Sequence, residues 1–208
     1  MSPIGRASAV FVVIAGLVMA CAPAATLSPS AAVVSSASVA PSSESPDGLG
    51  LSPSSSTLVA IDPSLLAILP PSVDGVPLLP APEAAAQIAA DPALPSEIDA
   101  VATALAVASG TSVGSDLAIV NVVRLNEGIF DDEFFRDWRD SYNEAACRPA
   151  GGVVGSAESQ IDGRQVFITT CTNGGATYHT HYRDQILVAI TSLGPARFGE
   201  KIMSNLAD

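Results

Sequence analysis

The sequence has few basic residues and almost no histidine. Nine Lys and Arg residues stand against 21 Asp and Glu residues, and the net charge at pH 7 is −12. A surface with this excess of acids repels phosphate backbones and anionic lipid head groups, so we expect no nucleic-acid partner. The chain contains two histidines, and any imidazole that takes part in catalysis must therefore be His179 or His181.

The N-terminal apolar run is too short to cross a membrane as a helix. It extends from Ala7 to Ala20 and consists mainly of Ala, Val, Ile, Phe, Leu and Met, whereas a spanning helix needs about 20 apolar residues. Its length is typical of the apolar core of a signal peptide, and Arg6 supplies the positive charge that precedes such a core. The alternative is a core helix of a cytoplasmic protein.

The residues that follow this run indicate how it is removed. Val18-Met19-Ala20-Cys21 resembles the lipobox of bacterial lipoproteins. The resemblance implies that Cys21 is diacylated, that the chain is cut before it and that the new N-terminus is acylated, which anchors the protein to a membrane on the extracytoplasmic side of the bacterial envelope. Secretory cleavage after Pro23-Ala24-Ala25, which would leave no lipid, is the alternative.

A spacer follows the cysteine. Residues 22–57 are rich in Ser, Ala, Pro and Gly, and they contain no aromatic residue, no Lys and no Arg. Such a composition cannot bury enough apolar surface to offset the entropy of ordering, so we expect a disordered tether. The predicted organisation is a signal peptide at 1–20, the lipidated cysteine and tether at 21–57, and one domain at 58–208.

The domain is predicted to be α+β, with a mostly antiparallel sheet of about five strands and helices packed on one of its faces. Ser96 and Asp99 have capping-box spacing, and Ile98, Val101, Ala102 and Leu105 behind them share a helical face. A helix is therefore predicted behind Ser96. Three further helices are predicted: one after Asp62-Pro63, one after Asp131 and one at 195–206, and the second buries Phe135, Trp138, Tyr142 and Ala145. The predicted strands cover 116–125, 153–160, 164–172, 176–183 and 185–192.

The cysteines divide into one lipid site and one pair. Cys147 closes the predicted aromatic helix, and Cys171 lies near the end of a predicted strand. In an oxidising compartment, an even number of cysteines in a modest domain predicts a disulfide. Two buried free thiols are the alternative.

Two segments contain patterns that are found at catalytic sites. Residues 110–114, GTSVG, match the G-x-S-x-G pattern of serine hydrolases. That pattern needs a strand before it and a helix after it. Because the predicted order here is reversed, a turn is the better interpretation.

The second segment is Tyr178-His179-Thr180-His181-Tyr182. On a strand, His179 and His181 share one face and the two tyrosines share the other. Two imidazoles at this spacing can hold a metal ion if a third ligand comes from elsewhere in the fold. Two histidines that point outward on an antiparallel sheet are more often simply solvated, and this is the favoured interpretation.

These observations predict a lipid-anchored, non-enzymatic binding or structural domain at the cell envelope. An envelope protein, a glycan or a small apolar ligand is the expected partner, and no cofactor is expected. The alternative function is that of a metal-dependent enzyme or metal carrier built on His179 and His181.

Overall fold

The structure, a computed structural model, describes residues 58–108 and 116–207. Cys21, the tether and the GTSVG segment lie outside these residues. In the described part of the chain, no helix is long and apolar enough to cross a membrane. The elements are β1 (Ala60–Ile61), β2 (Ser72–Val73), β3 (Val76–Pro77), β4 (Leu79–Pro80), α1 (Pro82–Ala89), β5 (Ile98–Val107), β6 (Leu117–Leu125), α2 (Asp132–Cys147), β7 (Val153–Ile161), β8 (Arg164–Cys171), β9 (Ala176–Arg183), β10 (Ile186–Leu193) and α3 (Phe198–Met203), with 3₁₀ helices at Pro63–Ile68, Leu94–Ser96 and Arg148–Ala150.

Eight strands form one sheet in the order β1-β5-β6-β10-β9-β8-β7, and β4 also pairs with β5. The β1–β5 pair is parallel and the remaining pairs of this sheet are antiparallel. The α+β class and the mostly antiparallel sheet are confirmed, but about five strands was too few. The strands that were not predicted are β5, β1 and β4. β1 and β4 contain only two residues each, which is too short for a periodic pattern.

The predicted helix behind Ser96 is wrong, because the chain forms strand β5 there. This strand lies between β6 on one side and β1 and β4 on the other. Alanines 100, 102, 104 and 106 point to one face and are buried, and Val101 is buried on the opposite face. Pairing on both edges and burial on both faces outweigh the helix propensity of alanine, which is a weak local preference.

Helices cover both faces of the sheet, and the prediction of a single covered face is wrong. On one face, α1 and α2 pack Ala85 and Trp138 against the sheet; we call this the α2-side core. On the other face, α3 and the first 3₁₀ helix contribute Ile202 and Leu65 to the α3-side core. A sheet whose central strands are apolar on both faces must be covered twice, because each face has to be removed from water.

The helix cap and the hairpin turn predicted in the C-terminal half are confirmed, but the extent of the last helix is not. Asp131 caps α2 by accepting a hydrogen bond from the Phe134 backbone N–H at 2.7 Å. Asp162 and Gly163 form the β7–β8 turn, both with positive φ, as a type I′ hairpin requires. The last helix is shorter than predicted and begins only at Phe198, because Arg197 adopts a left-handed conformation with φ of 56°.

Candidate functional site

A buried polar cluster lies between α2 and strand β9. The Nε2 atom of His179 lies 2.8 Å from Oδ1 of Asn143, and the hydroxyl of Thr177 donates to the same oxygen. His179 is fully buried. Because an amide oxygen only accepts hydrogen bonds, Nε2 carries the proton in the neutral ring and Nδ1 is left as an acceptor.

The surroundings of His179 keep its ring neutral. Burial chiefly, together with the positive charge of Arg139, lowers the pKa of the imidazole to about 3. The rings of Tyr142 and Trp138 meet it edge to face, with centroids 4.9 and 5.4 Å away. Nδ1 is buried without a hydrogen-bond partner in the described structure. Near neutral pH this imidazole is therefore an uncharged part of the core.

His181 lies on the same face of the sheet, as predicted, while Tyr178 and Tyr182 pack on the α3 side. Its ring stacks on Phe130 with centroids 3.8 Å apart and planes inclined by 22°. Its Nε2 lies 2.7 Å from the backbone carbonyl of Asp184, to which it donates. His181 is half-buried, so the expectation of two solvated histidines is wrong for His179 and only partly right for His181.

In the described part of the chain, the donor atoms near the two histidines do not group into a metal site. Each Nε2 atom is already bonded, one to a side-chain amide and the other to a backbone carbonyl. Within residues 58–108 and 116–207, no group of three or more His, Cys, Asp and Glu side chains could hold a metal ion. The carboxylates of Asp131, Asp132 and Glu133 stand instead at the start of α2, where they favour the helix dipole.

A second buried polar network continues the cluster along α2. The Thr103 hydroxyl donates to Oδ1 of Asn121 at 2.9 Å, and Nδ2 of Asn121 donates to the hydroxyl of Tyr142 at 3.1 Å. That hydroxyl lies 3.0 Å from the hydroxyl of Thr191. Burial raises the pKa of Tyr142, whose hydroxyl therefore stays protonated. The network joins α2 to β5, β6 and β10.

Sequence reasoning missed these polar partners. Asn121 interrupts the apolar strand β6, and Asn143 lies one residue from the predicted apolar stripe of α2. An Asn within an apolar strand is the signal that could have identified Asn121, whereas Asn143 lies outside the predicted stripe and has no such signal. Both asparagines are buried and hydrogen-bonded, which is what a polar group in a protein interior requires.

The disulfide between Cys147 and Cys171 is confirmed. It joins the last residue of α2 to the last residue of β8, across a sequence separation of 24 residues. Close to it, the backbone N–H of Gly152 donates to the carbonyl of Cys147 at 2.9 Å. The helix that holds Asn143 and Tyr142 is therefore tied covalently to the sheet at its C-terminal end.

An open cavity lies on the α3 side, at the ends of β8, β9 and β10. Its volume is about 260 Å³, and Thr170, Tyr178, Ser192 and Arg197 are among the residues that line it. The guanidinium of Arg197 is paired with Glu200. Burial, followed by the negative charge of Glu200, raises the pKa of Tyr178. The lining suits a small polar group better than an apolar ligand.

Comparison with known proteins identified no relative of this chain. No protein-family model matches the chain, no curated protein is significantly similar to it, and no solved structure matches its fold at a significant level.

Proposed function

We propose that this protein is a lipid-anchored domain on the extracytoplasmic side of a bacterial membrane, where it binds or organises other envelope components without catalysing a reaction. The observation that carries the proposal is the Cys147–Cys171 disulfide. Disulfides persist in oxidising compartments. With both domain cysteines paired, Cys21 is the one cysteine of the chain left for acylation.

A binding role is favoured over catalysis by the state of the buried imidazole of His179. His179 is buried, neutral and bonded to Asn143, so it stays uncharged near neutral pH. A general base near neutral pH needs a pKa close to the working pH and a position that a substrate can reach. The buried polar cluster fits a structural purpose better, because it fixes α2 on the sheet.

A macromolecular partner is favoured over a small ligand. The cavity of about 260 Å³ is open and lined by Thr170, Ser192 and Arg197, and it lies below the range of roughly 300–1,000 Å³ that is common for small-molecule sites. The domain from residue 59 onward has 19 acids and eight basic residues, a net charge of −11, which disfavours nucleic acids. An envelope protein or a neutral glycan is consistent with this surface.

The proposal is tested by the mass of the membrane-associated protein. Expression of the full chain in a bacterium should give a product that begins at Cys21 and carries acyl chains on it. The Cys21→Ser variant should lack the lipid and leave the membrane fraction. A lipid-free product that begins at Thr26 would support ordinary secretion and remove the anchor from the proposal.

The alternative, a metal-dependent enzyme or metal carrier, has one observation in its favour. Nδ1 of His179 has no hydrogen-bond partner in the described structure, and His181 shares its face of the sheet. Use of that nitrogen would require a metal ion to enter the α2-side core, and both Nε2 atoms are already engaged. This candidate therefore stands second.

A further inference from the structure

The edge of the sheet formed by β7 has no strand beside it in the described structure. β7 contains nine residues and, among the described residues, pairs only with β8. The strands at the opposite edge of the sheet, β1 and β4, are much shorter and contain two residues each. A long unpaired edge presents a row of backbone donors and acceptors that can bind another strand.

The side chains of β7 lie mostly outside the two helix layers, and α2 approaches the strand at few positions. The residues from Val153 to Gln160 are exposed, although side chains of alternate residues point to opposite faces of the sheet. The exposed fraction is 66% for Val154. A second strand can therefore approach the edge without displacing α2 or α3.

The turn at Asp162-Gly163 determines which backbone groups face outward. In a two-residue hairpin, the flanking residues Ile161 and Arg164 form a hydrogen-bonded pair, and such pairs recur at every second residue. Odd-numbered residues of the regular part of β7 thus bond to β8. The free N–H and C=O groups belong to even-numbered residues, including Ser156, Glu158 and Gln160.

The amino-acid composition of β7 permits its free edge to pair with another strand. The strand contains no Pro and no Lys, residues that commonly protect sheet edges. Its one charged residue is Glu158, whose carboxylate accepts a hydrogen bond from Gln165 on β8. A register shift between Val153 and Gly155 disturbs only the first residues of the strand and leaves 155–161 regular.

From these features we infer that β7 pairs antiparallel with β7 of a second copy of this chain, about a two-fold axis at Ala157. In this register Ser156 faces Glu158 of the second copy, and both residues present outward backbone groups. Ala157 faces its own equivalent in a pair without hydrogen bonds, where a small side chain permits the close approach. The two sheets become one continuous sheet across the dimer.

The charge of Glu158 favours the register with its axis at Ala157 over the neighbouring register with its axis at Glu158. An axis at Glu158 would satisfy the same outward backbone groups, but it would place the two Glu158 carboxylates opposite each other, which is destabilising. The axis at Ala157 replaces that pair by two Ser–Glu pairs. The strand is thus complementary to itself in its backbone groups, and this register avoids a like-charge pair, which is why a second copy is its occupant.

Cysteine crosslinking tests the axis directly in the protein from residue 22 to 208, which keeps the tether and every described residue. Ala157→Cys should form an intermolecular disulfide under mild oxidation, because facing Cα atoms in such a pair are about 4.5 Å apart, within the range of disulfides. Ser159→Cys is the matched control on the same face. Its two copies would lie about 13 Å apart along the strands, which is too far for a disulfide.

Charge variants of Ser156 test the same register in the absence of an oxidant. Ser156→Glu places a carboxylate opposite Glu158 at two places in the dimer and should weaken association about tenfold in sedimentation velocity. Ser156→Lys places the opposite charge there and should keep or strengthen the dimer. A thermal stability of both variants close to that of the natural chain at low concentration shows that the fold is intact.

The results separate the proposal from its competitors. Concentration-dependent dimers of the natural chain, selective crosslinking at Ala157→Cys and opposite effects of the two Ser156 variants support it. A natural chain that stays monomeric, or equal crosslinking of both cysteine variants, overturns it. A monomer that dimerises only after removal of residues 22–57 would assign the edge to the tether and would likewise overturn it.

Discussion

Nε2 of His179 and Oδ1 of Asn143 lie 2.8 Å apart at a buried position, and their hydrogen bond joins β9 to α2. The same oxygen accepts the hydroxyl of Thr177. One amide oxygen thus satisfies two donors of the sheet. The orientation of α2 on the sheet depends on this atom as well as on apolar packing.

Removal of the Asn143 amide should therefore be costly. Asn143→Ala leaves the His179 N–H and the Thr177 hydroxyl buried without their acceptor, and we expect the free energy of unfolding to fall by about 3 kcal/mol. Glu144→Ala, at an exposed position of the same helix, should change it by less than about 0.5 kcal/mol. Urea unfolding of both variants measures the difference, and equal effects would show that the amide contributes little.

The low pKa of His179 makes stability depend on pH. The pKa is about 3 in the folded protein and 6.5 in the unfolded chain, so between these values the unfolded state binds the additional proton. The free energy of unfolding should therefore fall as pH falls from 6.5 towards 3, by about 2.5 kcal/mol between pH 7 and pH 4.5.

Comparison of variants isolates this contribution from that of the carboxylates. His179→Gln should lose the part of the pH dependence that the imidazole supplies. His181→Gln should retain it, because His179 is intact. Urea unfolding at several pH values measures both, and parallel stability profiles for His179→Gln and the natural chain would contradict the assignment.

The disulfide should account for a large share of the stability. With a sequence separation of 24 residues, the loop-entropy relation gives a contribution of about 3 kcal/mol. The double replacement of Cys147 and Cys171 by Ser should lower the free energy of unfolding by about that amount. Before reduction, the denatured protein from residue 22 to 208 should show no reactive thiol, and two reactive thiols would contradict the bond.

Gly199 should not tolerate a side chain, although it lies in a helix. A Cβ atom there would come within 2.4 Å of the Tyr178 ring. Gly199→Ala should destabilise the protein by about 2 kcal/mol through overpacking, despite the better helix propensity of alanine. Gly155→Ala is the matched control, because a Cβ atom at that position meets nothing within 4 Å. Thermal unfolding distinguishes the two.

A thermal-shift titration with Zn²⁺ decides between the two candidate functions. Because both histidine Nε2 atoms are bonded within the protein, we expect no rise in melting temperature that depends on these residues. Binding to the native state would stabilise it by about 2.7 kcal/mol at a metal concentration of 100 Kd. A shift of that size, lost when His179 and His181 are both replaced by Ala, would favour the metal function instead.

Short-range features of this protein were determined by its sequence alone. Asp131 starts α2 because a side-chain carboxylate can satisfy the free N–H groups of a first turn. Asp162-Gly163 makes the β7–β8 hairpin because both positions accept positive φ. The Cys147–Cys171 pair followed from an even cysteine count in the domain.

Tertiary structure decided what depends on distant parts of the chain. Residues 98–107 have an alanine-rich pattern that also fits a helix, and they became a strand because β6, β1 and β4 pair with them. His179 has the spacing of an exposed histidine, and it is buried because α2 packs over that face of β9. In both cases the structure is determined by burial and strand pairing between segments that are far apart in sequence. Local residue preferences carry no information about such contacts.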